Sequence, residues 1–249
     1  MTALEAIQQS TVEGTVVKLP GIQLDRKTYL TVKKKMELIG GKWKGGKTAG
    51  FVFASDPTDL LQSVANGDNR NLKKEYQFFA TPPDLADELV ELAEIDTYHT
   101  ILEPSAGQGA LIEAIGRLPY RTVPVVCYEA MGTNRDILAT KAKKGLSHIL
   151  LGNDFLEHDT IYFDRIIANP PFSRNQDIDH IRKMYEFLNP GGRLVSLSSQ
   201  SWTFGPQKKQ VAFRDWFFEV NAEIIPVGDQ RFKSSGTLVS ANIIIINKY

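Results

Sequence analysis

The chain holds one cysteine, Cys127, in 249 residues. A lone thiol excludes an internal disulfide framework and a cysteine-ligated zinc site. Its four histidines are scattered along the sequence and show no ligand spacing, so no metal is expected. Apolar residues never run for the roughly 20 positions that a membrane helix needs. The longest such candidate, Ile243 to Ile246, has the length of a buried strand. The opening MTALEAIQQSTVEG carries acids and lacks an apolar core, so it does not read as a secretory signal. Net charge is also absent, with 29 bases against 29 acids. The expectation is an intracellular protein with no membrane partner.

What is present is an ordinary globular composition, 42% hydrophobic and 23% charged. This is enough for one full α/β core and a small accessory region, but not for two large domains. The charge is unevenly spread. From Lys18 to Lys47 nine bases face only Asp25 and Glu37, a formal +7, which suits a polyanionic partner. Residues 1–14 read as a loose end, and TVVKLPGIQL after Gly14 as a short strand pair. Lys27–Ile39 has helical spacing ended by Gly40-Gly41. Trp43–Phe53 reads as a turn entering the strand AGFVF, Asp56–Val64 as a helix, and ANGDNRN as a linker. Residues 1–70 are therefore expected to form a small basic α+β module.

Residues 71–249 alternate. Thr81-Pro82-Pro83-Asp84 is a helix start, with the Thr81 hydroxyl expected as its cap. Strands are expected at His99–Leu102, Val123–Tyr128, His148–Leu151, Arg165–Ala168 and Arg193–Leu197. Helices separate them at Ala110–Arg117, Thr133–Lys144 and Asp177–Leu188. The pattern ends differently, in strands Glu223–Val227 and Leu238–Asn247 with no helix between them. It predicts an α/β fold with a mostly parallel sheet closed by an antiparallel hairpin.

Four strand ends carry candidate chemistry. Ile101-Leu102-Glu103-Pro104-Ser105-Ala106-Gly107-Gln108-Gly109 ends the first core strand, and its spaced glycines allow a tight turn and close ligand approach. Glu129 ends the second, where an acid can hold ribose hydroxyls. Asn153-Asp154-Phe155 follows the third; Asp154 can accept from an adenine amino group while Phe155 packs on its ring. Asn169-Pro170-Pro171-Phe172 ends the fourth. The Asn169 side-chain oxygen and the Pro170 carbonyl can take both hydrogens of an amino group, and Phe172 can stack on the planar ring that bears it.

These motifs, in this order, resemble the amino-group DNA methyltransferases, specifically the N6-adenine enzymes whose cofactor motifs precede the catalytic one. The resemblance covers about Tyr76 to the C-terminus. It implies a Rossmann-like class I fold with a seven-stranded sheet and S-adenosylmethionine as cofactor. Gln77-Phe78-Phe79-Ala80-Thr81-Pro82 resembles the family's upstream motif, placing Phe78 and Thr81 at the methionine end of the cofactor. Ala106, Gly107 and Gly109 would line that methionine, Glu103 would face its ammonium, Glu129 would take the ribose, and Asp154 and Phe155 the cofactor adenine. Asn169, Pro170, Pro171 and Phe172 would hold the target adenine, with Arg174, Phe232 and Lys233 beside the substrate. Residues 25–75 resemble the N-terminal region of small phage and mobile-element methyltransferases, with Lys42, Trp43, Lys44 and Lys47 as DNA contacts. The implied setting is the cytoplasm of a prokaryote or phage-infected cell, at the nucleoid.

Many relatives carry a separate recognition domain after the core. Here the sequence reaches Tyr249 on its last core strand, so recognition is expected from the N-terminal module or from the loop around Ser199–Phe232. That loop holds Trp202, Phe204, Lys208, Lys209, Arg214 and Arg231, which suit phosphates and exposed bases, whereas Val211, Phe213, Trp216 and Phe217 fit a core helix. Gly41–Thr48 satisfies the phosphate-loop pattern, but a helix precedes it and a strand follows, the reverse of what that motif needs. The competing readings are an RNA adenine or protein glutamine methyltransferase, which also present an amino group, and a non-catalytic nucleic-acid-binding module.

Overall fold

The computed structural model describes the chain except for residues 54–55, 68–79, 121–122, 229–230 and 233–239. Backbone packing divides it into two compact units, Met1–Phe78 and Phe79–Tyr249. The sequence boundary at 70/71 and this one both fall among the undescribed residues.

The first unit opens on a helix, Ala3–Gln8, not on a loose end. Thr2 and Glu5 form a reciprocal capping box, which satisfies two otherwise orphaned donors of a short helix. Ala6 and Ile7 on that helix are fully buried. The strand pair also lies earlier than expected: β1 (Thr11–Glu13) and β2 (Val16–Lys18) flank Gly14, whose φ of 60° turns the chain. A helix over Arg26–Leu38 follows, capped by the Asp25 side chain on the Thr28 N–H. Then β3 (Lys42–Lys44) and β4 (Gly50–Val52) complete an antiparallel sheet of order β1-β2-β4-β3. The GKWKGGKT pattern thus spans a hairpin between two strands, without the strand-to-helix step that a phosphate loop requires. Val17, Val32, Met36, Ile39 and Phe51 form the core of this unit.

The second unit is a seven-stranded sheet: β5 (Ile101–Glu103), β6 (Val125–Tyr128), β7 (His148–Gly152), β8 (Phe163–Ala168), β9 (Leu188–Ser199), β10 (Glu223–Val227) and β11 (Ala241–Asn247). Its order is β10-β11-β9-β8-β5-β6-β7. Strands β5 to β9 pair in parallel, and β11 runs antiparallel to both β9 and β10. Helices cover both faces, which is why the central strands read as continuous apolar runs. In β11 the four isoleucines alternate between two cores: Ile243 and Ile245 enter one, Ile244 and Ile246 the other. Burying each contributes about 1.5–3 kcal/mol.

From β5 the chain winds outward through β6 and β7, then crosses back to β8 on the other side of β5. That reversal opens a crevice beyond the carboxyl ends of β5 and β8, where open α/β sheets bind their ligands. Leu102 stands opposite Ile166, so Glu103 ends β5 two residues short of the level of Asn169. The 199–232 stretch is not a long loop. It holds helices at Ser201–Phe204 and Lys208–Glu219. Trp202, Phe213 and Phe217 are buried there, while Val211 stays exposed.

Among the described residues no helix is long and apolar enough to cross a membrane, and no group of histidine, cysteine, aspartate or glutamate could hold a metal.

Candidate functional site

The turn after β5 bridges to the end of β6. Ala106 N–H donates to the Tyr128 carbonyl (2.9 Å), and Gly107 N–H donates to Glu129 Oε2 (2.6 Å). Gly107 and Gly109 both have positive φ, 55° and 86°. A Cβ on Gly109 would also lie 3.0 Å from the Leu138 side chain, so at this position both conformation and space call for glycine. Glu129 is almost buried. Its Oε1 accepts from Met131 N–H at 2.7 Å and from Asn134 Nδ2 at 3.3 Å. Three of about four acceptor positions on the carboxylate are thus used, leaving one for a ligand hydroxyl. Burial raises its pKa, and the donors from Met131 and Gly107 oppose that shift.

Glu103 is 2% exposed and its Oε2 has no hydrogen-bond partner among the described residues. Burial, reinforced by the charge of Glu129, holds this carboxyl well above the ordinary carboxylate range. A buried acceptor without a donor is costly, and it suits a ligand that brings a cation with several N–H donors. The adjacent Cys127 thiol is pushed up to about 12 by the same burial and charges, and so stays neutral.

The raised carboxyl has a measurable consequence. In the unfolded chain Glu103 ionises near its ordinary value of 4.5, and in the folded protein only at higher pH. Its neutral form therefore supports the ligand-free protein fully below that value, and the support fades as pH rises through the window above it. Glu103→Gln, neutral at every pH, is expected to raise Tm near neutral pH and to flatten the decline of Tm with rising pH. A Tm profile parallel to that of the parent protein would contradict this reading.

Asn169, Pro170, Pro171 and Phe172 leave the end of β8 at the crevice, with Phe172 half-buried against the first core. Asn169 Nδ2 donates to Thr81 Oγ1 at 3.1 Å. The helix Pro83–Leu92 has no side-chain cap: its N-cap is Pro82, which carries no acceptor, and the Thr81 hydroxyl expected in that role stands one residue earlier and receives Asn169. That contact sets the Asn169 amide with its nitrogen towards Thr81 and its oxygen the other way. Next come Arg174 and Asn175, two consecutive non-glycine residues with left-handed backbone (φ 53° and 57°), a strained pair beside a candidate site.

The structure also supplies residues that the sequence reading missed. Asn175 is buried. It donates to Gln207 Oε1 (2.8 Å) and accepts from Gln210 Nε2 (3.1 Å), fastening the 169–175 loop to the start of the helix Lys208–Glu219. Asp177, in the first turn of the helix Gln176–Glu186 that follows this loop, is fully buried and accepts from Ser199 N–H at 2.8 Å, joining that helix to the end of β9. Asn134 lies between Glu129 and Gln108. None is adjacent in sequence to its partners, so no motif announced them.

The other expected ligand residues are placed as follows. Phe155 is 1% exposed, its ring edge-on to Tyr128 and Phe187, so it belongs to the second core and does not line an open crevice. Asp154 is exposed and caps the short turn after it through Leu156 N–H at 2.8 Å. Phe232 is 2% exposed, within the first core. Arg174 is exposed. Phe78 and Lys233 lie outside the described residues. In the first unit Lys42, Trp43, Lys44 and Lys47 are all exposed, on or beside the edge strand β3. The Trp43 ring is held edge-on by Tyr29 and Phe51. Lys42, Lys44 and Lys47 carry no ion pair among the described residues.

No protein-family model and no curated protein sequence matches this chain. Solved structures do. TrmN from Thermus thermophilus aligns over 67% of this chain and 49% of its own, with 22% identity and a TM-score of 0.51. A Listeria monocytogenes protein assigned to the class I S-adenosylmethionine-dependent methyltransferases aligns over 77% and 66%, with 15% identity and a TM-score of 0.56. The M protein of the type I restriction enzyme EcoKI aligns over 78% and 52%, with 17% identity and a TM-score of 0.56. The chain spans about half the length of the first and third of these. At such identities the likeness concerns architecture: this chain has the Rossmann-like class I methyltransferase fold, with the seven-stranded sheet expected from its sequence.

Proposed function

We propose that the chain transfers a methyl group from S-adenosylmethionine to the N6 amino group of adenine in DNA, with Phe79–Tyr249 as its catalytic unit. The observation that carries this reading is the adjacency, across the β5/β8 crevice, of the Glu103–Gly109 turn and the Asn169-Pro170-Pro171-Phe172 segment. The unpartnered buried Glu103 Oε2 fits the cofactor's ammonium, Gly107 and Gly109 allow close approach to its methionine part, and Glu129 retains an acceptor for a ribose hydroxyl. Bound there, S-adenosylmethionine supplies an electrophilic methyl group on a positively charged sulfur.

The chain's own residues do the positioning. Asn169 Oδ1 and the Pro170 carbonyl accept the two amino hydrogens, which turns the nitrogen lone pair towards the methyl. Thr81 holds the Asn169 amide in that sense, and Phe172 offers a ring face to the base. Held so, the nitrogen would form its N–C bond as the S–C bond breaks in line; the methylated nitrogen is then cationic and would pass its proton to solvent water, so no strong base is needed. The barrier falls mainly through placement. An adenine inside a duplex must first be extruded, at a cost of a few kcal/mol.

Lys42, Lys44 and Lys47, with Trp43, supply a phosphate-binding and stacking edge on the first unit. Replacing the three lysines by alanine is expected to weaken DNA binding and to lower the salt slope of log affinity by about 0.9 for each phosphate no longer neutralised. An unchanged slope would remove this strand from the interface.

The reading is tested by incubating the purified chain with labelled S-adenosylmethionine and, in parallel, unmethylated bacterial DNA, total RNA and mixed protein. Label in DNA alone supports it. Label only in RNA or protein transfers the same chemistry to another substrate, and label in none returns the chain to a binding role.

A further inference from the structure

Two phenylalanines of the second unit are strongly exposed, Phe204 at 76% and Phe218 at 75%. They differ in setting. Phe218 lies near the end of the helix that descends to the start of β10, at the amino edge of the sheet, away from the crevice. Phe204 ends the single helical turn that follows β9, at the carboxyl edge, one strand over from Asn169.

The backbone around Phe204 is fixed on both sides while its ring is left out. Trp202 is buried against Phe213 and Phe217, with its indole N–H on Ser198 Oγ at 3.1 Å. Arg214 Nη1 donates to the carbonyls of Trp202 and Gly205, the residues two before and one after Phe204. Thr203 Oγ1 donates to the Gln200 carbonyl at 2.8 Å. Three residues on, Gln207 receives the bond from Asn175 of the loop that carries Asn169. A rigid mount for an exposed ring, tied to that loop, is what a contact with a partner requires. Lys208 follows Gln207, and Arg174 precedes Asn175, which bonds Gln207; both cations are exposed and without an ion pair among the described residues. Cations beside an exposed aromatic suit phosphates and base faces.

We propose that Phe204 is a stacking residue for nucleic acid: it packs against the bases next to the extruded adenine and replaces the stacking that the duplex gives up there. This rests on the DNA-adenine reading above. It makes Phe204 matter for duplex DNA, where a stack is broken, and far less for denatured DNA, where none is.

The test measures methyl transfer to native and to heat-denatured bacterial DNA by the parent chain, Phe204→Ala, Phe204→Trp and Phe218→Ala. Affinity for S-adenosylmethionine and Tm are measured on the same preparations. Phe204→Ala is expected to lose about tenfold on native DNA, consistent with removal of one base–aromatic stack, and less than about threefold on denatured DNA. Its cofactor affinity and Tm should be unchanged, because the ring is 76% exposed and belongs to neither core cluster. Phe204→Trp should restore transfer, and Phe218→Ala should behave as the parent. Equal loss on both DNA forms, no loss, or the same loss in Phe218→Ala overturns the assignment of Phe204 and leaves the proposed function standing. A parent chain inactive on both forms overturns the proposed function and this inference with it.

Discussion

Replacing Asn169 by alanine is expected to reduce methyl transfer by about 10³-fold, with the affinity for S-adenosylmethionine changed by less than about threefold. The magnitude follows from the role. A positioned polar group that acts on the reacting atoms is worth about 10²–10³ in turnover when removed. Here the missing side chain also frees the amino group to rotate its lone pair away from the methyl. The selectivity follows from the geometry: Glu103 ends β5, Gly107 lies in the turn after it and Glu129 follows β6, whereas Asn169 leaves β8 and bonds Thr81. Thr81→Val provides an internal check. It keeps the volume and deletes the hydroxyl that receives Asn169 Nδ2, so the amide loses its orientation but not its oxygen. A loss of about tenfold, near 1.4 kcal/mol, is expected. Measured kcat and cofactor Kd for both variants decide the matter. If either variant lost cofactor binding in step with turnover, Asn169 would be holding the crevice together and not the substrate.

The second large effect concerns stability. Phe155→Ala is expected to cost about 3–4 kcal/mol, because it empties a fully buried site walled by Tyr128 and Phe187. For a chain of this size that corresponds to a fall in Tm of about 10 °C. Lys183 amplifies the effect, since its Nζ lies 5.7 Å from the Phe155 ring while bonding the Leu156 and His158 carbonyls. Cofactor affinity, measured well below the melting transition, should move by less than about threefold. The opposite pattern, an unchanged Tm with cofactor affinity down tenfold or more, would return Phe155 to the cofactor-stacking role that its motif first implied.

The contrast between these two residues explains which parts of the molecule the sequence disclosed. Strand ends were legible because they combine a buried apolar run with a turn residue and a polar group, as in ILEPSAG and IIANPPF. The direction of the sheet was legible because helices alternate with those runs. The capping box at Thr2 and Glu5 was also written in the chain, but two such residues weigh little against a polar beginning with few apolar positions. What a local pattern cannot give is the side to which a side chain turns. Phe155 and Phe232 follow strand-end and loop motifs yet turn into the cores, because tertiary packing decides their exposure. Thr81 has an N-cap's identity, but the cap position falls one residue later, on Pro82, and Asn169, 88 residues on, donates to its hydroxyl. The amide bridge from Asn175 to Gln207 and Gln210 likewise links residues more than 30 apart.

The most direct test of the account is the identity of the methylated product. DNA labelled by the purified chain should be digested to nucleosides and the labelled species separated. The account predicts that the label runs as N6-methyldeoxyadenosine and disappears when Asn169→Ala replaces the parent chain. Label in a methylated cytosine, or label in N6-methyldeoxyadenosine that persists undiminished in Asn169→Ala, would contradict it.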